Sequence, residues 1–346
     1  MACPEIGFSY TVVGDLDMTD IPIFGMNVRT SLFVVALVAV TQSSLAADDV
    51  TPILRGHAAW VTAIAFSPDE TKVLSSSESD GIRFWDVASN KELAHFNAHH
   101  VANLYPTFDV KFTPDGAFAV SGGQDKAVEI WNLKTLSSAI RLLEHPWGIN
   151  AVSVSPRGDT ILSAGQGGAL ILWNRATGKS ICQLIGHERM YALTSVAFFN
   201  DGKNAISASQ DKSIRTWDLS TCKQLSAIQS KAYKGGPLAM AIGSNLAVSY
   251  GIDRKTLVVW ELTTGVEFRR MTGHTMDVRA IRFSPDGRRV ISGGQDRRLL
   301  TWDVATGKLV KEQIVPTEIS SLTVSRTGAV ALVGGKDGTI YRASLQ

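Results

Sequence analysis

Cysteine is scarce in this chain, and its three copies stand far apart. Cys3, Cys182 and Cys222 form no Cys-x-x-Cys pair and have no histidine cluster beside them. That pattern argues against a disulfide framework and against a cysteine metal site. Cys182 and Cys222 are expected to be small, free side chains in or beside outer strands. A surplus of charge is missing as well. Lys and Arg number 34 against 32 Asp and Glu, too even a balance to mark a nucleic-acid binder. Charged residues are 19% and hydrophobic ones 45%, so the chain is expected to bury a large core and to be ordered. Long apolar runs are also lacking: the longest, Leu32 to Val40, has nine residues.

That run is too short to cross about 30 Å of hydrocarbon as a helix. Its flanks explain it better. Arg29 supplies a short positive start, and Thr41 to Ala46 is polar and ends in Ser44-Leu45-Ala46, a small-x-small cleavage pattern. Residues 26–46 are therefore expected to be a secretory signal peptide. Initiation is expected at Met26, with residues 1–25 an extra segment from a misassigned upstream start; an uncleaved signal anchor is the other reading. Cleavage after Ala46 would leave 33 basic and 28 acidic residues, which is only mildly basic. The mature chain is then expected outside the cytoplasm, periplasmic or secreted, without stable membrane insertion. If the leader is not used, the protein stays in the cytoplasm.

What the sequence does have is a repeat. Trp85, Trp131, Trp173, Trp217, Trp260 and Trp302 follow one another at intervals of 46, 42, 44, 43 and 42 residues. Each precedes a polar residue: Asp86, Asn132, Asn174, Asp218, Glu261 or Asp303. Ahead of most stands a Gly-His-like pair: Gly56-His57, His99-His100, Glu144-His145, Gly186-His187 and Gly273-His274. Within residues 273–311, alternating apolar positions and the turn Pro285-Asp286-Gly287 predict four short strands per unit.

These motifs resemble the WD-repeat β-propeller family over residues 51–346. The resemblance implies an all-β chain of four-stranded antiparallel blades. Six tryptophans mark six blades. A seventh, 319–346, has Val333 and Ala343 in the serine and tryptophan slots and stops before a fourth strand. Pro52–Arg55 is expected to supply that strand and close a seven-bladed ring, leaving no open edge. Residues 47–346 are thus read as one propeller.

The family also implies a buried His–Ser–Asp–Trp tetrad in each regular blade. Matching positions are His187, Ser207, Asp211 and Trp217; His274, Ser292, Asp296 and Trp302; and His99 or His100, with His100 taken as the repeat position, beside Ser121, Asp125 and Trp131. The even blades are expected to be complete and the others partial. Asp80 is one residue out of step, Gly167 stands in an aspartate slot, and no histidine precedes Ser249.

Repetition argues against catalysis, because a nucleophile site is not needed several times over. Five of the seven histidines occupy repeat slots, leaving too few for a metal cluster. Ser209-x-x-Lys212 lies on a repeated turn, and Gly178-Lys179-Ser180 lacks the upstream glycine of a phosphate loop. No enzyme activity, cofactor or metal is expected. The expected function is a monomeric scaffold that docks proteins or peptides, acidic ones fitting best, and no nucleic acid. Candidate contacts are Trp60 and Trp147, just after repeat histidines; Tyr105, in the long segment 99–108; and Lys126, Lys212, Arg254 and Arg297, each following a turn aspartate. The alternative is an exported propeller with a small ligand near its channel, where Asp109, Lys111, Arg279 and Arg282 are the few inner-strand candidates.

Overall fold

A computed structural model describes residues 50–99, 107–229, 233–240 and 245–346, the stretch 233–240 through its backbone only. The expected leader, 26–46, His100 and Tyr105 lie outside the described residues. Among those described, all regular structure is strand, so no helix is long and apolar enough to cross a membrane. The 28 strands form seven four-stranded antiparallel sheets. In each blade the strands run a to d from the channel outward. Blade one has a at Val61–Phe66, b at Lys72–Ser77, c at Ile82–Asp86 and d at Lys91–Phe96.

The short strands follow from alternation and turn chemistry. Strands b and c carry dense apolar runs because both of their faces are covered, as in Leu170–Asn174 and Leu257–Glu261. The a–b turns are closed by side chains. In blade one the Ser67 hydroxyl donates to Asp69 (2.6 Å) and accepts the Lys72 amide (2.9 Å). Ser284, Asp286 and Arg289 repeat that arrangement in blade six.

Core residues separate into seven layers, each shared by two adjacent blades. Every repeated tryptophan lies in the layer toward the preceding blade: Trp217 packs with Leu162 and Leu172 of blade three, and Trp302 with Val248 and Val259 of blade five. A lone blade would leave both faces wet, so stability is a property of neighbours.

The ring closes as expected. Strand β1, Val50–Arg55, pairs antiparallel with β28, Thr339–Ser344, from Val50 opposite Ala343 to Arg55 opposite Thr339. Ala343 takes the tryptophan slot, facing Ala331 as Trp131 faces Ala119.

The cysteine expectation is corrected. Cys182 and Cys222 are joined by a disulfide, with their Cα atoms 6.5 Å apart. Cys182 lies on strand d of blade three, Ser180–Gln183, and Cys222 just precedes strand d of blade four, Lys223–Gln229. Their separation of 40 residues is about one repeat. In a propeller, positions one repeat apart lie side by side, so the two thiols meet although no short motif links them.

Candidate functional site

The first question is what the repeated polar residues do. In blade one the Trp85 indole N–H donates to Ser75 Oγ (2.7 Å), Ser75 meets His57 Nε2 (2.6 Å), and His57 Nδ1 meets Asp80 (2.8 Å). Tryptophan only donates and a carboxylate only accepts, so the chain has one direction. Trp gives to Ser, Ser gives to Nε2, and Nδ1–H gives to Asp. Blades two, four and six repeat it with all contacts between 2.7 and 3.1 Å. Burial pushes the Asp80 and Asp211 carboxyls up, but the His57 and His187 contacts, with other donors, outweigh it and hold both well below the usual carboxylate range.

Two expectations change here. Blade one is complete despite its offset: its b–c turn has the usual length, with Ser75 and Trp85 10 residues apart as Ser121 and Trp131 are, and Asp80 reaches His57 from one position later in that turn. In blade two the tetrad histidine is His99, not His100. His99 Nδ1 reaches Asp125 (2.7 Å) and Nε2 reaches Ser121 (2.7 Å), so the added length of this segment falls after the tetrad histidine.

Blades three, five and seven are incomplete, each in its own way. Blade five keeps only the Trp260–Ser249 contact (2.9 Å) among the described residues. Blade seven replaces the set with Tyr341, whose hydroxyl donates to Asp337 (2.7 Å). Burial, with Asp337 beside it, pushes that phenol up to about 12. Blade three keeps His145, Ser163 and Trp173 (2.6 and 2.8 Å) but loses its aspartate to Gly167. The loss is coordinated. In blades one, four and six the aspartate also accepts the amide after the histidine, from Ala58, Glu188 or Thr275. Blade three has Pro146 there, which has no amide proton to satisfy.

His145 is therefore 5% exposed with its Nδ1 unpartnered. Burial pushes its pKa down from 6.5 to about 4. A folded pKa below the unfolded one means that the fold holds the neutral form. Its contribution is fully present above pH 6.5 and is lost as pH falls toward 4, by about 2 kcal/mol at pH 5. Burial moves His187 and His274 in the same direction. Restoring an aspartate at Gly167 should give Nδ1 its acceptor. A Cβ there would lie 2.3 Å from Trp147 Cδ1, so the change needs Trp147→Ala beside it. Urea unfolding at pH 7.5 and pH 5 should show a smaller acid loss for Gly167→Asp/Trp147→Ala than for Trp147→Ala alone. An equal loss would contradict this account of His145.

The face that carries the b–c turns and the d–a loops gathers most of the candidate contacts. Lys126, Lys212, Arg254 and Arg297 occupy equivalent turn positions, each with its amide bonded back to the carbonyl three residues earlier. All four sit at positive φ, 70°, 67°, 59° and 63°. Gly168 and Gly338 hold the matching positions of blades three and seven, also at positive φ; in blade one Asp80 stands there and the positive-φ Gly81 follows it. A side chain in that region costs about 1 kcal/mol or more, which glycine avoids. Arg254 is ion-paired with Asp277 (3.2 Å); all four cations are exposed.

The two loop tryptophans differ. Trp60 is half-buried, with the Lys336 ammonium 4.6 Å from its ring centre. Trp147 is 61% exposed and lies across Gly167, with Lys126 5.9 Å from its ring centre. In each case a cation from the preceding blade covers the ring. The same face exposes Met190 (91%), Tyr191, Ile252 and Met276, none of them anticipated. A signal was present: Met190 and Met276 stand three and two residues after a repeat histidine, as Trp60 and Trp147 do. The channel candidates lie on inner strands: Asp109 and Lys111 on Thr107–Phe112, and Arg279 and Arg282 on Val278–Phe283. No group of three or more His, Cys, Asp or Glu able to hold a metal occurs among the described residues.

Comparison with known proteins agrees with this architecture. The model of the WD domain, G-beta repeat, matches residues 49–86, 90–132, 137–174, 178–218 and 265–303, more than half of the chain. The intervals without a match contain blades five and seven, whose tetrads are the most reduced. The chain is 23% identical over 275 residues to a B-type cell cycle switch protein ccs52A of Medicago truncatula, covering 79% of this chain and 48% of that protein. It is 26% identical over 292 residues to a serine-threonine kinase receptor-associated protein of Gallus gallus, covering 73% and 69%. It is 24% identical over 304 residues to a guanine nucleotide-binding protein subunit beta of Solanum tuberosum, covering 84% and 69%. The chain thus spans about half the length of the Medicago relative. Repeated blades, their tetrads and these matches lead to one conclusion: the chain belongs to the WD-repeat β-propeller family.

Proposed function

We propose that this propeller is a non-catalytic docking platform for proteins or peptides, and that its binding face carries the b–c turns and d–a loops. The observation that carries this reading is the set of four cations held at positive φ where two sister turns use glycine. Strain of that kind is retained where the side chain has work to do. Trp147, Met190, Tyr191 and Met276 set apolar surface among those cations, and aromatic and basic anchors together suit an acidic partner with apolar side chains. The names of two relatives, a receptor-associated protein and a G-protein subunit, fit a family that works in assemblies.

The test joins stability to binding. Replacing Lys126, Lys212, Arg254 and Arg297 with glycine should stabilise the fold, by about 0.5–1 kcal/mol for each turn relieved. The same variant should lose acidic peptides selected on the wild-type chain from a random display library. Trp147→Ala should weaken them with little change in melting temperature. Peptides that bind both variants as tightly as wild type would remove this face from consideration.

Export is the second part of the proposal. The Cys182–Cys222 disulfide supports an oxidising compartment, because glutathione keeps cytosolic thiols reduced. The pattern at 26–46 supports passage there by a cleaved leader. Protein recovered from its native cell should begin at Ala47 and resist thiol alkylation until reduced. An intact leader with both thiols free would place the protein in the cytoplasm.

A further inference from the structure

The channel end opposite the docking face, bounded by the a–b turns, opens into a cavity of about 560 Å³. That volume suits a small molecule. Inner strands from six blades reach it. At the fifth position of these strands stand Ala65, Lys111, Ser153, Ala197, Arg282 and Thr323. Among the described residues, two long cations therefore stand in a ring of otherwise small residues, on blades two and six, three blades apart around the channel.

Their surroundings leave them short of negative charge. Lys111 pairs with Asp109, which also accepts the amides of Val110 (2.9 Å) and Val152 (3.0 Å). Asp109 is thus already committed to the wall between blades two and three. Among the described residues Arg282 makes one hydrogen bond, from its guanidinium to the Ile281 carbonyl (2.7 Å), and no ion pair. It is half-buried and lines the cavity. Burial pulls its pKa below the ordinary guanidinium value, and Asp109 only partly offsets this. At the rim, Glu70 accepts the Arg326 amide. A half-buried guanidinium with four of its five N–H groups uncommitted to protein among the described residues can give them to an acceptor in the cavity.

We infer that this end of the channel is a binding site for a small oxyanion, a phosphate or a carboxylate-bearing acid, held by Arg282 and Lys111. The planar guanidinium fits two oxygens of such a group at once, and the ammonium opposes it as a point charge. This site is separate from the docking face and gives the propeller a small ligand as well as a partner.

Calorimetric titration of the full chain, with inorganic phosphate and with citrate at constant ionic strength, tests it. Saturable binding of at least one anion is expected, and which one binds identifies the class. Arg282→Gln and Lys111→Gln should each weaken it about tenfold or more, while Lys91→Gln, on the exposed outer strand of blade one, should not. Without ligand, Arg282→Gln should melt no lower than wild type, because it removes a half-buried charge that has no ion pair among the described residues. Should that variant not fold, wild type still answers: the bound anion should slow phenylglyoxal modification of Arg282. No saturable heat from either anion, equal binding by Arg282→Gln, or unprotected labelling of Arg282 would each overturn the assignment.

Discussion

A chain trimmed past Arg55 should lose most of its cooperative stability, whereas one beginning at Ala47 should fold. The strand removed, Val50–Arg55, is the outer strand of blade seven. Its Leu54 is 1% exposed and packs among Val61, Trp85, Leu332 and Ile340 where blades seven and one meet. Losing a buried leucine alone costs about 2–5 kcal/mol. The trim also bares one edge of Thr339–Ser344, leaving unpaired backbone that invites aggregation. Together these exceed about 4 kcal/mol, a large share of the 5–15 kcal/mol typical of a folded domain. Urea unfolding of chains starting at Ala47 and at Gly56 measures the difference. A peptide of residues 47–57, added in trans, should recover part of it. Equal midpoints for the two chains would show that the ring does not depend on this strand.

The second large effect concerns one hydroxyl. Ser207 is fully buried, accepts from Trp217 (2.8 Å) and serves His187 Nε2 (2.7 Å). Ser207→Ala orphans both partners, and each buried orphan costs about 1–3 kcal/mol. A loss of about 2–5 kcal/mol is expected. Ser249 is buried equally but holds only the Trp260 N–H among the described residues. Ser249→Ala should therefore cost roughly half as much, about 1–3 kcal/mol. Chemical denaturation of the two variants makes the comparison. Equal losses would mean that the histidine contact contributes nothing, and that the tetrads reduce to a Trp–Ser pair.

The architecture was legible because every blade solves the same problem. The tryptophan spacing located six blades, and the residues around Ala343 revealed the seventh and its borrowed strand. What escaped reading lies between blades. Cys182 and Cys222 are neighbours only because equivalent points on successive sheets touch. Lys336 covers Trp60 across the junction of the last blade with the first, a contact between opposite ends of the sequence. Choosing between His99 and His100 required the turn geometry itself. Asp80 looked displaced because counting residues ignores how a turn of unchanged length can bring its aspartate to the histidine from the next position along. At the docking face, the basic turn residues could be picked out by type. Their strain could not, because φ is absent from the letters. Arg282 was visible as a rare inner-strand cation, but its lack of an ion pair among the described residues emerged only once the surrounding strands were in place.

The closing strand also has a consequence in time. Val50 pairs with a residue about 290 positions later. At synthesis rates of about 5–20 residues per second, that first strand waits on the order of 15–60 s before its partner exists. Intermediate blades can stack meanwhile, since each contacts only its neighbours. The ring itself cannot lock until the last blade is made. A chain built this way stays open at one seam throughout its synthesis.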